Sequence, residues 1–241
     1  MNTLPFLIIE TGRPIASLRR LGPFSHWIRV AAGLSARDTA ICPVVDDAPL
    51  PRHDRYAGVL ITGSAAMVTE RHPWSERSAD WLRAAAADGL PLFGICYGHQ
   101  LLAHAFGGEV GYNPRGREMG TVPVALKPSA AHDPLFRGLP TQLPAHTTHL
   151  QSVLAPPKDA TVLAQSALDD CQAFRVGEQV WGVQFHPEFS ATMMRGYIQA
   201  RRNELNREGQ CHLELGRSVR PAPQARDVLR RFVRHARQRH L

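Results

Sequence analysis

Short apolar runs alternate with stretches in which apolar positions recur at helical spacing. Residues 5–10 are almost continuously apolar and are followed by the turn signal Thr11-Gly12-Arg13-Pro14. Apolar spacing predicts a helix over 24–32, then strands over 39–45 and 56–62, the second of them ended by Gly63-Ser64. Residues 73–87 read as a helix. Pro73 suits a first turn, Trp74, Trp81 and Leu82 share a face, and Gly89 can close it. Residues 90–95 are apolar at almost every position, as expected of a central parallel strand covered on both faces. Helical spacing returns over 98–106 and ends at Gly107-Gly108.

This β-α-β-α-β-α order predicts an α/β fold, a doubly wound, mostly parallel sheet with helices on both faces. Beyond Gly108 the strand-like segments 118–126, 161–166, 171–176 and 179–185 are separated only by turns, predicting an adjoining antiparallel section. No internal repeat is visible. Pro156-Pro157 and Pro221-Ala222-Pro223 mark loops, and no linker divides the body.

With 241 residues, 44% of them hydrophobic, the chain suits one large domain, alone or with a small appendage. A chain of this length buries roughly 70–75% of its unfolded surface, so it needs no disulfide or metal staple. No apolar run nears the ~18 residues of a membrane span. The opening Leu4-Pro5-Phe6-Leu7-Ile8-Ile9 lacks a basic lead-in and meets Glu10 at once, unlike a signal peptide. Secreted, fibrous, disordered and membrane classes are set aside, and a cytoplasmic location is expected. Cys42, Cys96, Cys171 and Cys211 form no CxxC pair, and the 12 histidines show no HExxH spacing. Reduced, mostly buried thiols and no metal site follow.

The formal charge of +7 is uneven. Residues 1–199 carry 17 basic and 17 acidic side chains, whereas 200–241 carry 11 arginines against 4 acids. The body, residues 1–195, is therefore read as neutral, and 196–241 as a basic C-terminal extension. Its last helix, about 222–240, is expected to pack on the same domain. Val228, Leu229, Phe232, Val233 and Ala236 form one apolar face there, with Asp227, Arg230, Arg231, Arg234 and Arg237 around the rest.

The chemistry concentrates at Gly94-Ile95-Cys96-Tyr97-Gly98-His99-Gln100. A buried strand runs into Cys96 and a helix starts within two residues. Glycines at −2 and +2 give the pattern of a nucleophile elbow with Cys in place of Ser. That turn lifts the sulfur clear of the sheet and sets it at a helix N-terminus, where unpaired N–H groups favour thiolate. The plain alternative is a buried strand cysteine, against which the two glycines weigh. A nucleophile needs a base, and Gln184-Phe185-His186-Pro187-Glu188 supplies a candidate. Pro187 restricts His186 to extended backbone, so Glu188 projects to the same side and can orient the imidazole.

Together these two segments, about ninety residues apart, resemble the class I, triad-type glutamine amidotransferase domain, and within it the glutaminase of GMP synthases. The likeness covers about 190 residues and implies the family's flavodoxin-like fold. It also implies a Cys96–His186–Glu188 triad that hydrolyses the side-chain amide of glutamine through a cysteinyl thioester, with no metal and no cofactor. Matched residue by residue, Leu60-Ile61-Thr62-Gly63-Ser64 falls on the family's oxyanion loop. Ser64 stands at the donor position, where Gly is usual, Gly63 before it, and the Tyr97 N–H is the second donor. Arg117-Glu118-Met119-Gly120 is similar to a family Arg-Glu-x-Gly strand. Thr148, His149, Leu150 and Gln151 fall where family backbone holds the α-groups of glutamine, although Leu150-Gln151 is not the usual pair. Gln100 matches a substrate-contact position.

The partners so implied are glutamine or a γ-glutamyl compound and, because no synthetase segment is present, a separate acceptor or synthetase protein. Two other functions stay open. A γ-glutamyl peptidase would use the same triad on a larger leaving group, and Thr62-Gly63-Ser64 also resembles the loop of such enzymes. A non-catalytic protein would bind nucleic acid or an acidic partner through 226–239; against it, the apolar face favours a docked helix with solvated arginines, so no nucleic acid is expected. Residues 196–225 carry no assignment. Covering the site, dimerisation and partner contact are open for them, as is the oligomeric state.

Overall fold

In the computed structural model, which describes residues 4–238, the apolar runs of the first half become parallel strands and the periodic stretches become their crossover helices. These are β1 (Phe6–Glu10), α1 (Phe24–Ala32), β2 (Thr39–Pro43), β3 (Gly58–Ile61), α2 (Pro73–Ala87), β4 (Leu92–Ile95) and α3 (Tyr97–Ala105). All four strands are shorter than the apolar runs that predict them, largely because flanking residues serve neighbouring turns. Leu90 is buried, yet its N–H bonds to Ala85 O at the close of α2, and Val44 opens a short 3-10 turn.

The second half forms β5 (Glu109–Tyr112), β6 (Glu118–Leu126), β7 (Gln142–His149), β8 (Gln151–Ala155), β9 (Ala160–Gln165), β10 (Ala173–Val176) and β11 (Val180–Val183). Helices α4 (Ala191–Ala200), α5 (Arg202–Arg207), α6 (His212–Ser218) and α7 (Pro223–Gln238) follow. The main sheet runs β2-β1-β3-β4-β11-β10-β9-β6-β7, and β5 pairs with β8 in a separate ribbon. From β2 to β11 neighbours are parallel; from β11 to β7 they are antiparallel. The sequence places β11 in the antiparallel section. Instead, the turn at Gly177 (φ 55°) folds it back from β10 and lays it parallel to β4, Val180 opposite Leu92 and Val183 opposite Ile95.

Apolar side chains cover both sheet faces. On one face, Phe232 of α7 meets Phe6, Phe93 and Trp181 at ring distances of 6.4, 5.1 and 6.1 Å. Burying one such phenylalanine contributes about 1.5–3 kcal/mol. The whole apolar stripe of α7 is buried. Its arginines do more than meet solvent, since Arg230 donates to Ala31 O, Arg231 to the carbonyls of Leu135 and Arg137, and Arg237 to Asp38. Arg239, and the end of the helix expected over 222–240, lie outside the described residues. The other face is covered by α2 and α3. A third cluster joins Trp27, Phe189, Met194, Tyr197 and Leu205, drawing α4 and α5 over the carboxyl ends of the strands. Among the described residues no helix is long and apolar enough to cross a membrane.

Candidate active site

Three neighbouring strands, β3, β4 and β11, end side by side; the turns after β3 and β4 line a cavity at the carboxyl edge of the sheet, and the turn after β11 brings His186 up beside Cys96. Cys96 follows β4 with φ 52° and ψ −101°, a left-handed conformation that only glycine adopts freely. Surrounding contacts enforce it. Its N–H donates to Val183 O of β11, and its carbonyl accepts the Gln100 N–H. The two flanking glycines are required by space. A Cβ at Gly94 would lie 2.3 Å from Gly98 O, and one at Gly98 would lie 2.7 Å from Ile61 O. The elbow read from the sequence is thus a steric fact of the strand–helix junction.

His186 stands two residues beyond the Gln184 N–H bond to Gln172 O, and its own N–H bonds to His146 O of β7. Its ring stacks on Phe189 at 4.1 Å. Nδ1 lies 2.7 Å from Glu188 Oε1, with both side chains buried. Nε2 is buried without a hydrogen-bond partner among the described residues, and the ring lies close enough to the Cys96 sulfur to feel its charge. Gly63 makes the closeness of the two concrete, because a Cβ built there would lie 3.1 Å from His186 Cε1 and 3.7 Å from Cys96 Cβ.

Burial alone pushes the Cys96 thiol up, but the charge of His186, joined by the charge of His149, outweighs it and holds the thiol below its usual range. Burial pulls the His186 ring down, while Glu188 and Cys96 together raise it well above its ordinary value. The pair therefore favours a thiolate beside an imidazolium, oriented by a carboxylate. Such a group can attack a carbonyl carbon and then hand a proton to the leaving nitrogen.

The remaining predicted residues divide by place. Ser64, Tyr97, Gln100, Thr148, His149, Leu150 and Gln151 line the same cavity as Cys96. Gly63, His186 and Glu188 do not line it; Gly63 and His186 stand beside Cys96, and Glu188 holds His186. Tyr97 opens α3, and among the described residues neither its N–H nor that of Ser64 donates to a protein acceptor. Gln100 is a brace. Its amide donates to Gln151 O at 2.7 Å and Gln184 Oε1 at 2.9 Å. His149 is buried with Nε2 3.0 Å from Glu118 Oε2 and Nδ1 3.0 Å from Gln151 O. Burial opposes its charge, but Glu118 and Asp169 prevail and raise its pKa.

Among the residues lining the cavity, Ala65, Ala66, Met67 and Arg201 escape the sequence reading, and Arg117, read there only as part of an Arg-Glu-x-Gly strand, lines it as well. Arg117 is held by Glu208 through bonds of 2.8 and 3.0 Å. Among the described residues Arg201 has no ion pair, and its Nε is buried without a partner. Burial and the neighbouring Arg117 lower its pKa. It lies in the unassigned segment 196–225, in an Arg-Arg step with no motif to mark it. Cys42 and Cys171 are buried and burial raises both thiols, Cys171 to about 12; Cys211 is exposed. No group of three or more His, Cys, Asp or Glu arranged to hold a metal occurs among the described residues.

Residues 24–202 match the family described as glutamine amidotransferase class-I. The GMP synthase (glutamine-hydrolyzing) of Aeropyrum pernix is 37% identical over 191 residues, 77% of this chain but 33% of that protein, so the chain spans about a third of that relative. A glutamine-hydrolyzing GMP synthase subunit from Methanopyrus kandleri is 32% identical over 172 residues, 71% of this chain and 87% of that one. Among solved structures, a glutamine amidotransferase from Thermotoga maritima aligns with a TM-score of 0.78 at 21% identity, covering 99% of this chain and 100% of that chain. One from Methylobacillus flagellatus gives 0.76 at 23%, covering 97% and 95%. At those identities the likeness is one of fold.

Proposed function

The chain belongs to the class-I glutamine amidotransferase family, and on that premise we propose that it hydrolyses the side-chain amide of glutamine through Cys96, His186 and Glu188. The observation that carries the reading is the Cys96 elbow, with its sulfur lowered in pKa by an imidazole that Glu188 holds at 2.7 Å. Cys96 thiolate attacks the amide carbon, and the oxygen takes the negative charge against the N–H groups of Tyr97 and Ser64. His186 protonates the nitrogen as the C–N bond breaks, releasing ammonia and leaving a γ-glutamyl thioester. The now neutral ring takes a proton from water, whose oxygen attacks the thioester and frees glutamate. The α-groups of glutamine rest against Thr148, His149, Leu150 and Gln151, and its carboxylate suits the unpaired guanidinium of Arg201.

The relative in Methanopyrus is named as one subunit of its enzyme, which supports delivery of the ammonia to an acceptor carried by a separate synthetase chain. The test is a panel of glutamine, asparagine and γ-glutamyl dipeptides, read by ammonia or amine release and by the mass of the acyl group trapped on Cys96. Ammonia from glutamine and a γ-glutamyl adduct on Cys96 are expected. Amine release from the dipeptides with glutamine inert would replace the reading with a γ-glutamyl peptidase.

A further inference from the structure

The turn after β1 reads in the sequence as nothing more than a break in a strand. In the fold it lies against the loop that carries Ser64. Thr11 and Thr62 are both fully buried. The Thr11 N–H donates to Thr62 Oγ1 at 3.0 Å, and the Thr11 hydroxyl lies 2.9 Å from Thr62 O and 3.1 Å from Gly63 O. The Thr62 hydroxyl donates to Gly63 O at 2.9 Å. Gly12 completes the contact, since a Cβ there would lie 2.7 Å from Ser64 Cα and 3.1 Å from Gly63 O.

The Gly63 carbonyl and the Ser64 N–H belong to one trans peptide, so they point in opposite directions. The carbonyl is held toward Thr11, which follows β1. In the sheet, β3 lies between β1 and β4, so the opposite direction leads to the β4 side, where Cys96 stands. Turning the peptide over would point the carbonyl at Cys96, strip the buried Thr62 hydroxyl of its acceptor and leave the Thr11 hydroxyl only Thr62 O.

We infer that Thr11, together with Thr62, is a positioning residue that locks the Gly63–Ser64 peptide with the Ser64 N–H aimed at the oxyanion, so that the oxyanion hole stands formed before substrate arrives. Neither hydroxyl touches substrate; each acts through the peptide. This also accounts for a serine at the donor position. Its side chain is tied back along the loop, Oγ accepting the Ala66 N–H at 3.1 Å, and the backbone needs no glycine freedom once the turn is clamped. The inference rests on the glutaminase reading above.

The experiment compares wild type with Thr11→Ser, Thr11→Val and Thr11→Val/Thr62→Val. Losing one oxyanion donor lowers rate by about 10²–10³. The double valine variant should therefore lose ~10²-fold in kcat and the single one ~10-fold, while serine, which keeps the hydroxyl, restores wild-type rate. KM for glutamine should hold within about threefold, because only the transition state carries the charge. Alkylation of Cys96 by iodoacetamide forms no oxyanion and should likewise hold. The inference is overturned if the double variant keeps kcat within about threefold, or if alkylation falls in step with kcat, which marks general loosening. Should the wild type cleave no γ-glutamyl amide, the reading of function fails separately. Crystal structures of wild type and double variant then decide the clamp. A wild-type Ser64 N–H facing Cys96 with a turned or mixed peptide in the variant upholds it, and the same peptide in both refutes it.

Discussion

The parallel and antiparallel halves of the sheet feed one cavity in different ways. From the parallel half come Ser64 and Cys96, in turns whose backbone contacts leave no room for a Cβ at Gly12, Gly94 or Gly98, and His186, whose N–H is tied to His146 O. From the antiparallel half and the helices after it come Thr148 to Gln151, Arg117 and Arg201. These rim residues are placed by side-chain bonds, such as Arg117 on Glu208, or by packing of the helix that carries them. Bond-breaking chemistry tolerates displacements of well under an ångström, which backbone geometry can guarantee. Recognition of a carboxylate needs only a charge within reach, which a long side chain supplies. Substitutions on the first side should therefore act on kcat, and on the second side on KM.

Glu188→Gln should show the largest effect. Gln keeps the shape but not the charge that holds the His186 imidazolium, and the comparable change in a Ser-His-Asp triad lowers turnover about 10⁴-fold. Ammonia release under saturating glutamine should fall by that order with KM little moved. A loss of less than about tenfold would mean that the chemistry does not depend on the 2.7 Å contact, and the division between halves would lose its first term.

The same division explains what was legible in the sequence. Residues 24–32, 73–87 and 118–126 are elements with the predicted bounds because period and local chemistry coincide there. The elbow was legible because steric exclusion writes itself as glycine. β7 was not, since Pro144, His146, Thr147 and Thr148 carry no alternating pattern. It is a strand because eight of its residues pair along β6 and because His146 O receives the His186 N–H. β5 and β8 are short and stabilise each other only as a ribbon. Arg201 was invisible for a different reason. What brings it to the cavity is the burial of Ile198 and Leu205 against Trp27 and Phe189, contacts that no local spacing encodes.

Arg201→Gln tests the rim. A charge-assisted hydrogen bond to a carboxylate contributes about 1.5–3 kcal/mol, so KM for glutamine should rise roughly 10–100-fold. With kcat unchanged to within about threefold, the guanidinium binds ground and transition states alike. Initial-rate kinetics over a wide glutamine range separate the two constants. A fall in kcat at unchanged KM would show Arg201 acting on the thiolate or the oxyanion, and the proposed split between chemistry and recognition would not hold.

The smallest effect concerns the seam between the halves. His99 of α3 is wholly buried against β11 and β10, its ring 4.8 Å from Phe174 and its Nδ1 2.6 Å from where a Cβ on Gly182 would stand. Burial pushes its pKa down to about 3, so the folded ring stays neutral. In the unfolded chain a histidine titrates near 6.5. Above that value neither state binds the proton and His99 contributes no pH dependence. As pH falls below it, the unfolded chain takes up a proton that the folded one refuses, and stability declines until pH nears 3. Between pH 6.5 and 5.5 the loss from this one ring is about 1 kcal/mol. His99→Gln cannot titrate, so urea unfolding at the two pH values should show a decline smaller by that amount than wild type. The difference of differences removes whatever the other histidines contribute, including His146, which burial lowers to about 4. Equal declines in the two proteins would mean that water or a proton reaches the ring at mild acidity. The junction at which the sheet changes direction would then open more readily than either half, and the chemistry on its parallel side could not be held to the tolerance the comparison assigns it.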